Sequence, residues 1–245
     1  MNRAQPGKAI PGLRRSSPLT SILASDHPGL SQQAILDELR RAILSGDVPP
    51  GSPIPVDGAA DLFGVSRIPI REALKTLIGE GLVDHQPRAG YTVARLTRQE
   101  FRELYVVRGV LEMAALAAAV DLAGPDDDDR ADTALRALDE AIESGDYRAY
   151  QRESRRFHIA LTAPCAMPRL LHMIELVWNI TEPIQPMAHI TDTHRSDLHA
   201  QHREMLRAFM SRDAAALLSV SRGHLELLET SVAQLPTEPG LFVET

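Results

Sequence analysis

The second half of the chain, from Thr97 onward, repeats its apolar residues with a helical period through six successive segments. Alanine and leucine dominate these segments, and aromatic residues make up only 4% of the whole chain. This composition favours helices packed on helices over a large sheet. We therefore expect a mainly α protein whose residues 97–235 form an antiparallel all-helical bundle with short connections.

Residues 29–96 show a different pattern, with three short helical segments followed by two strand-like pieces. The second segment, "DGAADLFG", has Asp57 as its expected N-cap, and the third is expected to start at the N-cap Ser66. The pieces "LVDHQ" and "YTVAR" flank "PRAG", which is typical of a hairpin. Three helices, a tight turn before the third and a terminal hairpin predict a winged helix-turn-helix.

Two arginines, Arg67 and Arg71, lie one helical turn apart at the start of the third helix and therefore share one face. The net charge of −7 argues against indiscriminate nucleic-acid binding, but it does not describe one face of one domain. We expect this helix to enter the major groove with Ser66, Arg67 and Arg71, while Arg88 at the hairpin tip contacts the backbone or minor groove. The alternative is an ordinary exposed helix whose arginines pair with Glu72 and Asp61.

The two ends of the chain are expected to be tails. Residues 1–28 are rich in proline, glycine and basic residues and predict a flexible basic tail, and residues 236–245 predict a C-terminal tail. The single cysteine, Cys165, cannot form an internal disulfide. Because the chain has neither a secretory apolar region nor a bilayer-spanning run, we expect a cytoplasmic protein without a membrane partner.

Three histidines, His158, His202 and His224, lie on three different predicted helices of the bundle. Imidazoles from facing helices can meet in a bundle core, and imidazole suits zinc, nickel, copper or iron. Spacing alone leaves a purely structural role open for each of them. Surface or rim positions are expected for four others: His172, His189, His194 and His199.

The stretch from Leu30 to Leu96 resembles the N-terminal domain of GntR-family bacterial transcription regulators. The matching pieces are "LRRAILSGDVPPG", "LFGVSRIPIREALKTLIGEGLV" and "RAGYTV". One departure lies near the start of the second helix, where some members carry an additional arginine and this chain has Val56 and Asp57. The resemblance implies DNA contacts from five residues: Ser66, Arg67, Arg71, Arg88 and Gly90.

Residues from about Thr97 to Leu235 resemble the FCD effector-binding domain of the FadR-like branch of that family. The matching pieces are "VVRGVLE", the Phe-His pair at 157–158, "HREMLRAFMSRD" and "SRGHLEL". Many such domains bind a divalent metal through a D-x-x-F-H segment and two later histidines. The resemblance implies that His158, His202 and His224 bind a divalent ion such as zinc or nickel.

The aspartate of that segment is Ser154 in this chain, so one charged oxygen ligand is missing. Glu153 is adjacent but points about 100° away on a helix. Water or an effector carboxylate would have to complete the site. Arg108 is our candidate for binding that carboxylate, because a guanidinium fork matches its geometry; an intrahelical pair with Glu112 is the alternative. Asn179 and Ser154 are further candidates for contact with the effector.

These features together predict a homodimeric, ligand-responsive DNA-binding regulator, a repressor released by a small carboxylate at a metal-containing pocket. Its partner would be a pseudo-palindromic double-stranded operator. An alternative keeps the DNA-binding domain and gives the bundle a metal-free pocket for an apolar or acyl ligand. A remote alternative is a three-histidine zinc hydrolase, for which the sequence shows no well-placed general base beside the histidines.

Overall fold

The structure, a computed structural model, describes residues 17–23, 30–88, 90–235 and 242–243. It confirms a mainly α protein in which a winged helix-turn-helix precedes a helical bundle. In chain order the elements are α1 (Pro18–Ile22), α2 (Gln32–Leu44), β1 (Pro53–Ile54), α3 (Val56–Phe63), α4 (Arg67–Gly79), β2 (Val83–Gln86), β3 (Gly90–Val93), α5 (Arg98–Leu122), α6 (Pro125–Glu143), α7 (Tyr147–Thr162), α8 (Pro168–Thr181), α9 (Asp192–Met210) and α10 (Ala214–Ala233).

The N-terminal domain packs α2, α3 and α4 around one apolar core. The turn between α3 and α4 is tight because Gly64 adopts the left-handed conformation, with φ at 63°. The predicted hairpin is present, with Val83 of β2 opposite Val93 of β3. The two-residue strand β1 pairs with the other edge of β3 and gives the order β1-β3-β2. A strand this short leaves no periodic signal, and the sequence did not predict it.

Of the two expected N-caps of this domain, Ser66 is confirmed and Asp57 is not. Pro55, not Asp57, precedes α3, so the prediction for Asp57 was wrong and its carboxylate lies in the first turn of the helix. Ser66 does hold the position before α4, but its side chain makes no capping hydrogen bond. Neither side chain is used to cap a helix, and Asp57 pairs with Arg67 instead.

Part of the predicted N-terminal tail is structured. Pro18–Ile22 form α1, and Leu19 and Leu23 are buried in the core of the DNA-binding domain. The prediction of a tail was wrong for this segment because two apolar residues one turn apart suffice to attach it. Residues 1–16 and 24–28 of the predicted tail lie outside the described residues.

The C-terminal domain contains the six predicted helices, α5 to α10. A capping box starts α5: Glu100 N–H donates to Thr97 Oγ1, and Thr97 N–H donates to Glu100 Oε2 at 2.8 Å. The core between the helices is apolar and includes Leu138, Phe157 and Phe209, all fully buried. Within the described residues, no helix combines the length and apolar content that crossing a membrane requires.

The predicted C-terminal tail returns to the bundle at Phe242 and Val243. Val243 N–H donates to the Leu96 carbonyl at 2.9 Å, and the Phe242 ring packs edge-on against Phe101. The expectation of a free tail was wrong for these two residues. Residues 236–241 and 244–245 lie outside the described residues.

The two domains touch where α2 ends. Gly46, with φ at 74°, lies against the side chain of Gln185, which itself follows a 3-10 turn after α8. Arg148 of α7 forms an ion pair with Asp47 beside this contact. The end of α2 therefore rests directly on the bundle.

Candidate DNA-binding surface and metal centre

The first candidate site is the face that α4 shares with the hairpin. Arg71 from α4 and Arg88 and Gly90 from the hairpin line one open groove, as a winged helix-turn-helix requires. Arg88 and Gly90 both have positive φ, at 72° and 92°, so the chain turns sharply at the tip. The same groove is lined by residues that the sequence did not single out: Ile68, Lys75, His85 and Tyr91.

Of the two arginines of α4, Arg67 pairs with an acidic neighbour on α3, and Glu72 pairs with Lys75 and with neither arginine. Arg67 Nε lies 2.7 Å from Asp57 Oδ1, and Glu72 lies 2.8 Å from Lys75. No carboxylate of the described residues lies within ion-pair distance of Arg71. Within the described part of the chain, α4 therefore presents Arg71 without an ion-pair partner and Arg67 paired with Asp57.

The second candidate site is a cluster of three buried imidazoles in the bundle. His158 comes from α7, His202 from α9 and His224 from α10, and each is at most 4% exposed. One ring nitrogen from each lies within 4.8 Å of the others. The structure thus brings together the three histidines that the family resemblance implied.

The distance between two of these nitrogens tests the fit to a metal. His158 Nε2 lies 3.2 Å from His202 Nε2. Two nitrogens bound tetrahedrally at the ~2.0–2.1 Å typical of zinc would be about 3.3 Å apart. His224 Nδ1 is buried and has no hydrogen-bond partner among the residues that the structure describes. A shared N–H···N hydrogen bond would also suit the first distance, but it would leave His224 unsatisfied.

Burial keeps two of the three imidazoles, His202 and His224, in the form that binds metals. Burial, reinforced by the neighbouring histidines, holds the pKa values of His202 and His224 well below the usual range. Both rings are therefore neutral at neutral pH. Neutral imidazole is the ligand form, so no proton has to be displaced when a cation binds.

The outer nitrogens of two rings face partners that the sequence did not predict. His158 Nδ1 lies 3.5 Å from Glu112 Oε2, and His202 Nδ1 lies 3.3 Å from the Tyr150 hydroxyl. If each Nδ1 carries the proton, each Nε2 keeps its lone pair for the centre of the cluster. Such partners typically fix the tautomer and orientation of a metal-binding histidine.

Glu112 is a buried carboxylate with three neighbours. Trp178 Nε1 donates to its Oε1 at 2.8 Å, and Arg108 Nε lies 3.5 Å from the same oxygen. Burial alone would raise the pKa of Glu112, but His158 and Arg108 outweigh it and hold that pKa at about 2. Glu112 therefore carries a full negative charge beside the histidines, and its oxygens are engaged.

Arg108 lies at the same cavity, in contact with two aromatic rings. Its guanidinium carbon is 4.4 Å from the Tyr105 ring centre and 4.1 Å from that of Trp178. The alternative pairing with Glu112 is present in the structure, yet Arg108 Nε makes no hydrogen bond. The two rings and Glu112 therefore hold the Arg108 guanidinium in place, and at least its Nε–H can still donate a hydrogen bond.

Of the two other residues predicted to contact the effector, Ser154 lines this cavity and Asn179 does not. Ser154 is buried and lines the cavity, whereas Glu153 accepts hydrogen bonds from Arg152 and Arg156, as its helical position predicts. Asn179 is not among the lining residues, and its Oδ1 accepts from Arg155 at 2.5 Å. The cavity measures about 10 Å³ and is lined by Tyr105, Arg108, Gln151, Ser154, His158, Trp178, Met187, Leu198, His202, His224 and Leu228.

His199 was wrongly expected at the surface or rim. It is 3% exposed, and its Nε2 lies 2.8 Å from Asp139 on α6. The sequence carried a signal for this: His199 precedes His202 by three residues, so both fall on one face of α9. Its link to Asp139 ties α9 to α6 and gives it a structural role outside the cluster.

Two protein families match this chain. Residues 31–93 match the family described as bacterial regulatory proteins, gntR family, and residues 103–227 match the FCD domain. The HTH-type transcriptional regulator McbR of Escherichia coli (strain K12) is 30% identical over 152 residues, which cover 62% of this chain and 68% of McbR. The HTH-type transcriptional repressor GlaR of the same strain is 25% identical over 197 residues, covering 76% of this chain and 89% of GlaR.

Solved structures share the fold. E. coli McbR/YncC superposes with a TM-score of 0.74 at 24% identity, covering 84% of this chain and 98% of that chain. A GntR transcriptional regulator from Rhodococcus sp. RHA1 gives a TM-score of 0.73 at 24% identity, over 82% of this chain and 96% of that chain. The chain therefore belongs to the GntR family of bacterial transcription regulators, in the branch whose members carry an FCD domain.

Proposed function

We propose that the protein is a homodimeric repressor that leaves its operator when a small carboxylate binds in the bundle beside a divalent metal. The observation that carries this proposal is the cluster of three buried imidazoles with Arg108 at the same cavity. Two relatives, GlaR and RspR of E. coli, are named as repressors, which supports the direction of the response.

The metal would be held by His158, His202 and His224, with zinc or nickel as the candidate ions. A bound divalent ion would supply a positive charge for an effector carboxylate. Ser154 brings no negative charge to the cluster, so the ion would keep positions for water or for the effector. Glu112 faces His158 Nδ1 and would help to hold that imidazole in the orientation for binding the ion.

The effector would be a small carboxylate whose second contact is Arg108. A volume of about 10 Å³ holds roughly one water-sized group, so an organic ligand must displace lining side chains. A ligand that displaces these side chains can shift the protein between the arrangement with the small cavity and an opened arrangement. The size of that shift equals the difference in the ligand's affinity for the two arrangements. Gln151 and Met187 line the cavity, and Gln151 Oε1 accepts from Met187 N–H at 3.2 Å, close to the contact with Gly46.

The metal-free alternative, a pocket for an apolar or acyl ligand, is less well supported. The lining includes one arginine and three imidazoles, and burying an alkyl chain against them would leave their polar atoms unsatisfied.

On DNA, two copies related by two-fold symmetry would place their α4 helices in successive major grooves. The operator is then pseudo-palindromic, as the symmetry of the dimer dictates. Arg71 and Arg88 line the groove that would face the duplex, and the N-terminus of α4 adds its dipole.

The test is elemental analysis by mass spectrometry of protein purified without a histidine tag or nickel resin. We expect about one zinc or nickel ion per chain, lost in His158→Ala and retained in His172→Ala, an exposed histidine on α8. Metal in neither the wild type nor the control would contradict the metal-dependent proposal. Unchanged metal in His158→Ala would place the ion elsewhere.

A further inference from the structure

A carboxylate lies beside the first residue of α4, the helix expected to enter the major groove, where phosphate repulsion would disfavour it. Asp57 is in the first turn of α3, and its Oδ1 lies 2.7 Å from Nε of Arg67, the first residue of α4. The two side chains are 63% and 64% exposed, so the pair projects from the helix ends instead of supporting a core. An exposed ion pair contributes little to stability, and its position calls for another explanation.

The pair determines which edge of Arg67 can contact a base. Its Nε faces Asp57, and among the described residues no carboxylate is paired with its two terminal Nη groups, so these remain for a base. A guanidinium edge with two donors matches O6 and N7 of guanine in the major groove. Asp57 also holds the guanidinium in place before DNA arrives, which lowers the entropy cost of that contact.

Asp57 retains a second carboxylate oxygen. In the major groove an acidic side chain can accept a hydrogen bond from the N4 amino group of cytosine. We propose that Asp57 and Arg67 read DNA as one unit, with Arg67 on a guanine and Asp57 on a cytosine amino group of an adjacent base pair. This inference rests on operator binding by this surface and adds a base preference to it.

A second carboxylate on the same surface provides a matched control. Glu72 lines the groove and lies 2.8 Å from Lys75, three residues further along α4. Asp57→Asn and Glu72→Gln each remove one negative charge from the DNA-facing surface. A general charge effect should appear in both variants, whereas a change of base preference should appear only in Asp57→Asn.

The experiment selects binding sites for the full-length protein from random DNA duplexes and then measures affinity at fixed salt for single-base variants of the selected site. We expect Asp57→Asn to lose roughly ten-fold of the discrimination at the cytosine position. Arg67→Lys keeps the charge but not the fork, so it should lose preference at the guanine and at the adjacent cytosine. Glu72→Gln should select the same site as the wild type and bind random DNA more tightly.

Two results would overturn the inference. If Asp57→Asn selects the wild-type site with unchanged preference at every position, Asp57 only neutralises Arg67. If the selected site contains no guanine next to a cytosine-bearing pair, the assigned bases are wrong. Failure of the wild type to select any sequence would instead remove operator binding itself, and the inference with it.

Discussion

Replacing Glu182 with glutamine should remove much of the pH dependence of the stability of the bundle. Glu182 follows α8 in a 3-10 turn and is 4% exposed; from the described residues, its carboxylate accepts only a long 3.5 Å hydrogen bond, donated by Gln151. Burial raises the pKa of Glu182 from 4.5 to about 7, although Arg155, Gln151 and Arg108 partly oppose the shift. The folded protein therefore holds a proton that the unfolded chain has already lost.

The sign and size of the effect follow from these pKa values. Between them the folded state binds more protons, so the stabilisation is complete below about pH 4.5 and is lost as the pH rises through about 7. A difference of about 2.5 in pKa, at ~1.36 kcal/mol for each unit, sets a ceiling of ~3 kcal/mol. From about pH 5 to pH 8 the wild type should lose about 2 kcal/mol through this group.

The assay is urea denaturation at several pH values, followed by the fluorescence of Trp178, the single tryptophan, which is buried in the bundle. Glu182→Gln should match the wild type near pH 5 and exceed its free energy of unfolding by about 2 kcal/mol near pH 8. Glu175→Gln, an exposed change on α8, is the control and should follow the wild type. A difference between Glu182→Gln and wild type that stays constant with pH would refute the reasoning.

Other predictions concern the metal cluster, the domain contact and DNA. Glu112→Gln should weaken metal binding by about 10–100-fold in chelator competition, and Glu153→Gln should not. Gly46→Ala should lower the free energy of unfolding by at least about 1 kcal/mol more than Gly145→Ala; both have positive φ, but only at Gly46 would a Cβ fall 2.4 Å from a neighbouring side chain. Arg71→Ala should weaken operator binding by about 1–3 kcal/mol in fluorescence anisotropy.

Much of the fold could be predicted because it depends on local pattern. The helices of the bundle follow from apolar periodicity, and the hairpin follows from strand-like pieces around "PRAG". The strand β1 and the return of Phe242 to Phe101 could not be predicted, since each depends on a partner far along the chain. Local pattern likewise cannot show that Leu19 and Leu23 are buried.

The candidate sites divide in the same way. The family resemblance predicted that His158, His202 and His224 would come together, and the structure places each of them on a separate helix facing the others. The partners around them come from other helices at large separations in sequence, as Glu112 does when it faces His158. The pairing of Arg67 with Asp57 was missed because the two residues sit at the starts of different helices, whose relative placement is a tertiary property.

The contact between Gly46 and Gln185 limits how freely the two halves of the protein can be exchanged. Gln185 adopts the left-handed conformation, with φ at 50°, and its side chain occupies the space that any Cβ at position 46 would need. A chimaera that joins this bundle to the DNA-binding domain of another regulator must therefore keep glycine at the end of α2. Position 47 is less restricted, because the ion pair between Asp47 and Arg148 is exposed and contributes little to stability. Exchange of domains between such proteins is therefore limited by the contact between Gly46 and Gln185 as well as by the linker that joins the domains.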